Sequence, residues 1–310
     1  MFSKKTLVNP TPSKVDVVYT WVNGENPDYL QYLSQYTSDP KKLNPERYRD
    51  LYQMLKYSIR SILQFMPWIN HIYIVTMRPQ VPEWLNLDSD RVSLIHHDEI
   101  FPNNAFLPTF NCHTIESYLY RIPNISQYFI YFNDDYFIGR PLTINDWFMP
   151  NGDIKIYGTM LGKWTNFKIG MKFTRRVFGF LSHCPYLIHQ PTWKKLDEEW
   201  GVLLNQKTRC NNFRASSDIP PYYLYRYYFL NQSVIPTYSV SLIDHLKNYV
   251  FCKILNEEQK TRKKVTEILN KKPRFFCLND DQRNNPNPYV CDYIKSFLAS
   301  YFPCPSELEY

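Results

Sequence analysis

FIYFNDDYFIGRPL, residues 129–142, runs an aromatic strand straight into Asn133, Asp134 and Asp135. The apolar run from Phe129 to Phe132 has the length and the aromatic, β-branched content of a buried strand, and it stops at the polar trio. At the carboxyl end of a parallel strand, two adjacent carboxylates lie where open α/β sheets bind ligands. Hard oxygen ligands suit Mg²⁺ or Mn²⁺, ions that commonly bridge a carboxylate and phosphate oxygens. The same letters also read as a turn, because Asn and Asp initiate turns and Gly139 and Pro141 follow. In isolation the motif fits both readings equally.

The flanking chain supplies the sheet. VDVVYTWVNG (15–24) reads as a buried strand ended by the Asn23-Gly24 turn signal. Residues 45–66 carry a helical stripe of Tyr48, Leu51, Leu55, Ile59 and Ile62, stopped by Pro67. HIYIVTM (71–77) and RVSLIHHDEIF (91–101) are two further strands, and LPTFNCHTIESYLYRI (107–122) is a helix leading into the strand at 129. This alternation predicts an α/β fold: a Rossmann-like, GT-A-like, mostly parallel sheet flanked by helices over residues 15–160, with IKIYGTM (154–160) extending it. From residue 175 to 272 the segments at 191–204, 220–230 and 257–272 all read helical and predict an inserted helical subdomain. RFFCLND (274–280) and the amphipathic stretch 288–302 then return to the core as a strand and a helix, the whole forming a single catalytic domain over 1–310.

A chain of 310 residues with 44% hydrophobic content is long and apolar enough to bury a core, which excludes intrinsic disorder. The formal charge of +7 favours anionic partners: nucleotide diphosphates, an anionic membrane surface or nucleic acid. The basic clusters Lys4-Lys5, Arg262-Lys263-Lys264 and Lys271-Lys272 are short and scattered, which argues against nucleic acid. No apolar run approaches the roughly 20 residues of a membrane span, and the amino-terminal stretch has no secretory hydrophobic core. Seven cysteines form no CxxC and no zinc spacing. Reduced thiols and a cytoplasmic address follow as expectations, with peripheral contact at the inner face of a bacterial membrane.

Four separated blocks resemble the Stealth family of hexose-1-phosphoryl transferases, which includes bacterial capsule polymerases and the animal lysosomal GlcNAc-1-phosphotransferase. The first is VDVVYTWVNGENPDY (15–29). The second runs from YSIRSI through PWINHIYIVT, VPEWLN, HHDEIF, LPTFNCHTIES and RIPNISQYFIYFNDDYFIGRPL, residues 57–142. The third begins at HCPYLI (183–188) and continues to NNFRASSDIPPYYLYRYYF (211–229), and the fourth is CLND (277–280). The sequence departs from the family pattern at Gln53-Met54, where an acidic residue is usual, and at Met77-Arg78-Pro79-Gln80, where an Asx-Gly-Gln turn is usual.

The resemblance implies transfer of a sugar-1-phosphate from a nucleotide diphosphate sugar, for example UDP-GlcNAc, to a hydroxyl of a polysaccharide or oligosaccharide acceptor. A nucleoside monophosphate leaves and a phosphodiester forms, as in capsular or cell-surface polysaccharide synthesis. By the family match, Asp134, Asp135 and Asn279 hold the divalent ion, with Asp280 beside them. Phosphoryl transfer also needs in-line positioning and a base for the acceptor hydroxyl. His183 is the candidate base, since imidazole titrates near neutral pH. Arg214 is the candidate for the phosphoryl oxygens through its planar fork, with Asp218 orienting it or His183, or capping the following helix. Trp21, Asn23 and Gly24 follow a strand end and read either as the donor base and ribose pocket or as a buried tryptophan with an ordinary turn; by the family match, Asn111, His113 and Glu116 border the donor site. His96 and His97 alternate to opposite faces of a strand and are assigned no metal. If Asn279 is a ligand, the last strand must return beside residue 135.

Two other classes compete. A conventional GT-A-type glycosyltransferase would use the same donor and release UDP, and a non-catalytic glycan-binding protein would turn over nothing.

Overall fold

The computed structural model describes residues 12–39, 42–43, 48–157, 183–231 and 235–310. The first half runs β1 (Asp16–Thr20), α1 (Pro27–Ser34), α2 (Met54–Phe65), β2 (Ile72–Thr76), β3 (Val92–His96), α3 (His97–Ile100), α4 (Cys112–Glu116) and β4 (Tyr128–Asn133). Then follow β5 (Tyr136–Ile138), β6 (Ile154–Ile156), β7 (Tyr186–His189), α5 (Gln190–Leu204), α6 (Pro221–Asn231), β8 (Thr237–Ser239), α7 (Leu242–Asn248), β9 (Tyr249–Ile254), α8 (Glu258–Lys271), β10 (Phe275–Asp280) and α9 (Pro288–Tyr301).

The main sheet has the order β3-β2-β1-β4-β7, parallel except for β7, which runs antiparallel to β4. Its central strands are near-continuous apolar runs because both faces are covered. Thr20 pairs with Asn133, so β1 and β4 end on the same edge of the sheet. That carboxyl edge is where the parallel sheet opens to a ligand crevice.

A second sheet has the order β5-β10-β9, and α2 contributes side chains to the cores on both sides. The sequence of α2 serves both sides. Leu55, Ile59 and Ile62 are fully buried in the main core. Ser58 Oγ donates to the Tyr136 carbonyl, and the Ile138 N–H donates to Ser61 Oγ at 3.1 Å. Truncating Ile59 to Ala would cost about 2–5 kcal/mol from lost burial and the cavity left behind. The second core gathers Val250, Ile254, Val265, Phe276, Leu278, Ile294 and Phe302, so β10 is fixed by packing on one side and by β5 on the other.

Several expected boundaries move. The helix expected over 45–66 starts at Met54, because Gln53 sits at φ 50° in the left-handed region and Asp50 Oδ1 caps the Met54 N–H at 3.2 Å; residues 44–47 lie outside the described residues. The helix expected over 107–122 shrinks to α4 and a 3₁₀ turn at Leu119–Arg121. Pro108 has no N–H to contribute to a helix, and the Asn111 side chain accepts from the His113 N–H at 3.1 Å, which starts the helix there. IKIYGTM does not extend the main sheet: β6 pairs with β8 in a separate two-stranded sheet, and 158–160 lie outside the described residues. The second half carries the three expected helices, as α5, α6 and α8, but also the strands β7, β8 and β9. In β9 the alternation of buried Val250, Cys252 and Ile254 is the period-2 signal that the helical reading passed over.

Candidate active site

At the carboxyl edge of β1 and β4 a cleft of about 550 Å³ opens, walled by Trp21, Glu116, Asp134, Asp135, His183, Arg214 and Asn279. These residues come from separate parts of the chain and meet only in the fold. Asp134 and Asp135 form the turn between β4 and β5, where the chain leaves the main sheet for β10. The Leu278 N–H donates to the Asp135 carbonyl at 3.0 Å, which locks the turn against β10. Asn279 Nδ2 then donates to Asp135 Oδ2 at 3.4 Å, and the Cys277 thiol to the same oxygen at 3.3 Å. The last strand therefore does return beside residue 135.

Asp135 Oδ1 is buried and has no hydrogen-bond partner. Withdrawal from water raises the Asp135 carboxyl above its usual range, against the pull of His183 and the bonds from Cys277 and Asn279. Burial, and next the Asp135 charge, push Asp134 well above that range. Two crowded carboxyls with an orphaned oxygen call for a cation, which would reverse both shifts. Ligand atoms of Asp135, His183 and Cys277 lie within 4.8 Å of one another. These three donors fit a divalent ion; Asp134 lies outside that cluster, and Asn279 meets Asp135 through Nδ2. Asp280 stands apart: Arg49 engages its Oδ2 at 2.6 Å and the Gln282 N–H its Oδ1 at 3.0 Å.

His183 packs its ring edge-on to Tyr136 at 6.4 Å and against Phe251 at 5.3 Å, while its carbonyl accepts from the Tyr249 hydroxyl at 3.0 Å. The backbone and ring are thereby held at the cleft wall beside Asp135. Arg214 Nη2 lies 2.9 Å from His113 Nε2, and His113 Nδ1 lies 3.4 Å from Asp218 Oδ2. If Nδ1 carries the proton toward Asp218, Nε2 accepts from Arg214, so the guanidinium is aimed by a chain of three residues. Asp218 also accepts from Asn111 Nδ2 at 2.9 Å and from the Ala215 N–H at 3.1 Å. Asp218 thus serves Arg214 through His113.

The remaining candidates divide by position. Trp21 lines both the cleft and an adjoining pocket of about 940 Å³, and Asn23 lines that pocket. Asn23 is clamped by Gln80, which accepts from its N–H at 3.0 Å and donates to its carbonyl at 2.8 Å. Gly24 is buried behind the wall. A Cβ there would come within 2.4 Å of Tyr48 Cβ, so only glycine permits that approach. Asn111 is fully buried as the α4 cap. Two participants carried less weight in the sequence than their geometry gives them. Cys277 contacts Asp135, and Glu116, which burial raises above its usual carboxyl range, keeps a buried Oε2 with no partner. CLND held the first in plain view, but only the β5–β10 pairing makes it a neighbour of Asp135.

Comparison with known proteins bears on the same residues. Family models for Stealth conserved region 2 and conserved region 4 match residues 47–156 and 266–310. The capsular polysaccharide phosphotransferase fcs1 of Haemophilus influenzae is 30% identical over 96% of this chain and 86% of its own length. The chain belongs to the Stealth family. A capsular polysaccharide phosphotransferase of Neisseria meningitidis serogroup B is 28% identical over 94% of this chain and 84% of that protein. An exopolysaccharide phosphotransferase of Streptomyces coelicolor is 30% identical over 95% of this chain, and the chain spans about half of that relative, 52%. Among solved structures, the apo glycosyltransferase GlyE of Streptococcus pneumoniae overlaps with a TM-score of 0.43 at 11% identity, covering 96% of this chain and 64% of GlyE. The two Stealth regions contribute Asp134 and Asp135 on one side and Asn279 on the other; His183 and Arg214 lie in the stretch between them.

Proposed function

We propose that this Stealth chain is a divalent-metal-dependent phosphotransferase that moves a sugar-1-phosphate from a nucleotide diphosphate sugar to a hydroxyl of an acceptor glycan. The observation that carries the reading is the meeting of Asp134, Asp135, His183, Arg214 and Asn279 around one cleft. Their chemistry is that of phosphoryl transfer, in which positioning and charge stabilisation do most of the work. The acceptor oxygen attacks the phosphorus that bears the sugar. The bond from that phosphorus to the bridging oxygen breaks, and the nucleoside monophosphate departs with the electron pair.

Each residue has a part. His183 accepts the proton of the attacking hydroxyl. Arg214, aimed by His113 and Asp218, donates paired hydrogen bonds to the phosphoryl oxygens. Asp134, Asp135 and Asn279 hold Mg²⁺ or Mn²⁺, which when bound neutralises the diphosphate charge. Trp21 and Asn23 bound the pocket for the nucleoside, while Gly24 and Asn111 hold its surroundings in shape. In this reading residues 15–160 bind the donor, 175–272 face the acceptor and 273–310 complete the core.

Product analysis tests it. Purified protein is incubated with Mg²⁺, a panel of nucleotide sugars and capsule-derived oligosaccharides. Release of nucleoside monophosphate and entry of phosphorus into the glycan are expected. Release of nucleoside diphosphate with no phosphodiester would sink the transfer chemistry in favour of ordinary glycosyl transfer. No helix among the described residues is long and apolar enough to cross a membrane. Peripheral contact is proposed from the net charge, and flotation with anionic liposomes checks it: protein that stays wholly with the unbound fraction speaks against it.

A further inference from the structure

The cleft holds a set of atoms that Mg²⁺ chemistry does not use. Cys277 is fully buried, and its Sγ lies 3.3 Å from Asp135 Oδ2. One ligand atom each of Asp135, His183 and Cys277 falls within 4.8 Å of the other two. Mg²⁺ takes oxygen ligands, whereas thiolate sulfur and imidazole nitrogen are ligands of Zn²⁺ and its borderline-soft neighbours. Zn²⁺ bonds of about 2.0–2.3 Å in a tetrahedral arrangement put ligand atoms about 3.4–3.8 Å apart, so the trio closes on such an ion by drawing in about 1 Å.

The fold supplies what three ligands need. Cys277 is held within β10, paired to β5 on one side and β9 on the other. The Asp135 turn is locked by the Leu278 N–H, and His183 is tied through its carbonyl to the Tyr249 hydroxyl while its ring packs on Phe251. Asp135 Oδ1, buried and without a hydrogen-bond partner, is an acceptor that a cation would satisfy. Asp135 and His183 line the cleft, which gives an ion its way in. No zinc spacing shows along the sequence because the three ligands come from distant segments.

We propose that Asp135, His183 and Cys277 form a Zn²⁺ site that silences transfer when filled; this rests on the reading of Asp135 as a ligand of the working ion and of His183 as the base. The oxygen ligands proposed for Mg²⁺ or Mn²⁺ share Asp135 with this site, so the two ions exclude one another. Zn²⁺ also occupies the imidazole lone pair that His183 needs for the acceptor proton. Cys277 gives its thiol proton to solvent as its sulfur takes the ion. Sites of mixed nitrogen, oxygen and sulfur donors bind Zn²⁺ more tightly than Mn²⁺, so the softer ion prevails.

Co²⁺, a coloured stand-in for Zn²⁺, tests the site without any turnover. It is titrated at neutral pH into metal-free protein with native site residues, with Cys277→Ser and with His183→Gln, all in a Cys210→Ser, Cys304→Ser background that removes the exposed thiols. The native site is expected to give a thiolate-to-cobalt charge-transfer band in the near ultraviolet that saturates at one ion per chain and is erased by Zn²⁺. Cys277→Ser should lose the band. His183→Gln should keep it but bind more weakly by at least the about 10–100-fold that loss of an outer-shell partner costs. Electron paramagnetic resonance of bound Mn²⁺ reports the oxygen ligands: one equivalent of Zn²⁺ should release that Mn²⁺ from the native site, and Cys277→Ser should need about ten-fold more Zn²⁺ or greater. No thiolate band with the native site, a band of equal strength in Cys277→Ser, or Mn²⁺ left in place by Zn²⁺ overturns the proposal. Zn²⁺ release of Mn²⁺ from a protein whose product is a nucleoside diphosphate would keep the ion site and remove only the phosphotransfer reading.

Discussion

The ladder of β1 and β4 has an aspartate at or just beyond each end, and the two are treated in opposite ways. At the amino end, Asp16 is fully buried, yet both its oxygens are engaged, by Asn70 Nδ2 at 2.7 Å and by the Ser126 N–H at 2.6 Å. At the carboxyl end, Asp135 shares one oxygen between two long contacts and leaves the other with none. A satisfied buried carboxylate ties strands and loops together, whereas an unsatisfied one is held ready for something not part of the chain. Position along the strand decides which it is: the carboxyl edge opens to the crevice and the amino edge does not.

The comparison breaks or holds by exchange of function and stability between the two ends. Asp135→Ala is expected to lower transfer by about 10³-fold or more, the scale of losing an electrostatic anchor in an active site. The companion Asp135→Asn should do the same while melting no lower than wild type in EDTA. Near-normal turnover by either protein at saturating Mg²⁺ would remove Asp135 as an essential ligand. Arg214→Lys comes next, with an expected loss of about 10²-fold because an ammonium cannot reproduce the paired contacts of the guanidinium; kcat on the best donor measures it. Asp16→Ala should reverse the pattern. It removes two charge-assisted bonds and orphans their donors, costing about 2–4 kcal/mol in urea denaturation, with turnover per folded molecule unchanged.

The smallest effect concerns pH. Asp50 is lifted by burial to about 6 from an ordinary 3.8, and Asp134, Asp135 and Glu116 are raised in the same direction. Such groups bind protons more tightly folded than unfolded, so protonation favours the folded form. Metal-free protein should therefore gain stability as pH falls from neutral through about 6. Glu309 has the opposite sign. Burial would lift it, but Arg60 and Ser306 hold it down to about 2 from an ordinary 4.5, so its contribution is lost as pH falls from about 4.5 toward 2. Denaturation midpoints in EDTA should peak between these windows. A midpoint that falls steadily from neutral pH downward would contradict the unsatisfied state of the cleft carboxyls.

Much of the parallel sheet was legible because its strands are short apolar runs ended by polar residues, and Asn133-Asp134-Asp135 marks the ligand edge by that abrupt change. What escaped has a common physical cause. α2 begins late because Asp50, a residue without helical periodicity, caps Met54 from four residues away. β9 lies unassigned inside the 175–272 stretch expected to be helical, though its burial alternates strictly. The His113 link to Arg214 and the Cys277 contact with Asp135 span 101 and 142 residues, and no local pattern encodes a distance of that kind.

The pairing of Asp135 with a strand 144 residues further on has a consequence for synthesis. At about 5–20 residues per second, a ribosome takes roughly 7–29 s to travel from one to the other. Throughout that interval the nascent chain can assemble β1 to β4 yet has no partner strand for the Asp134–Asp135 turn. The contacts of Asp135 with Cys277 and Asn279 form only when β10 emerges and docks. On the proposed reading, a messenger truncated between these codons would yield a product without the Asn279 side of the site.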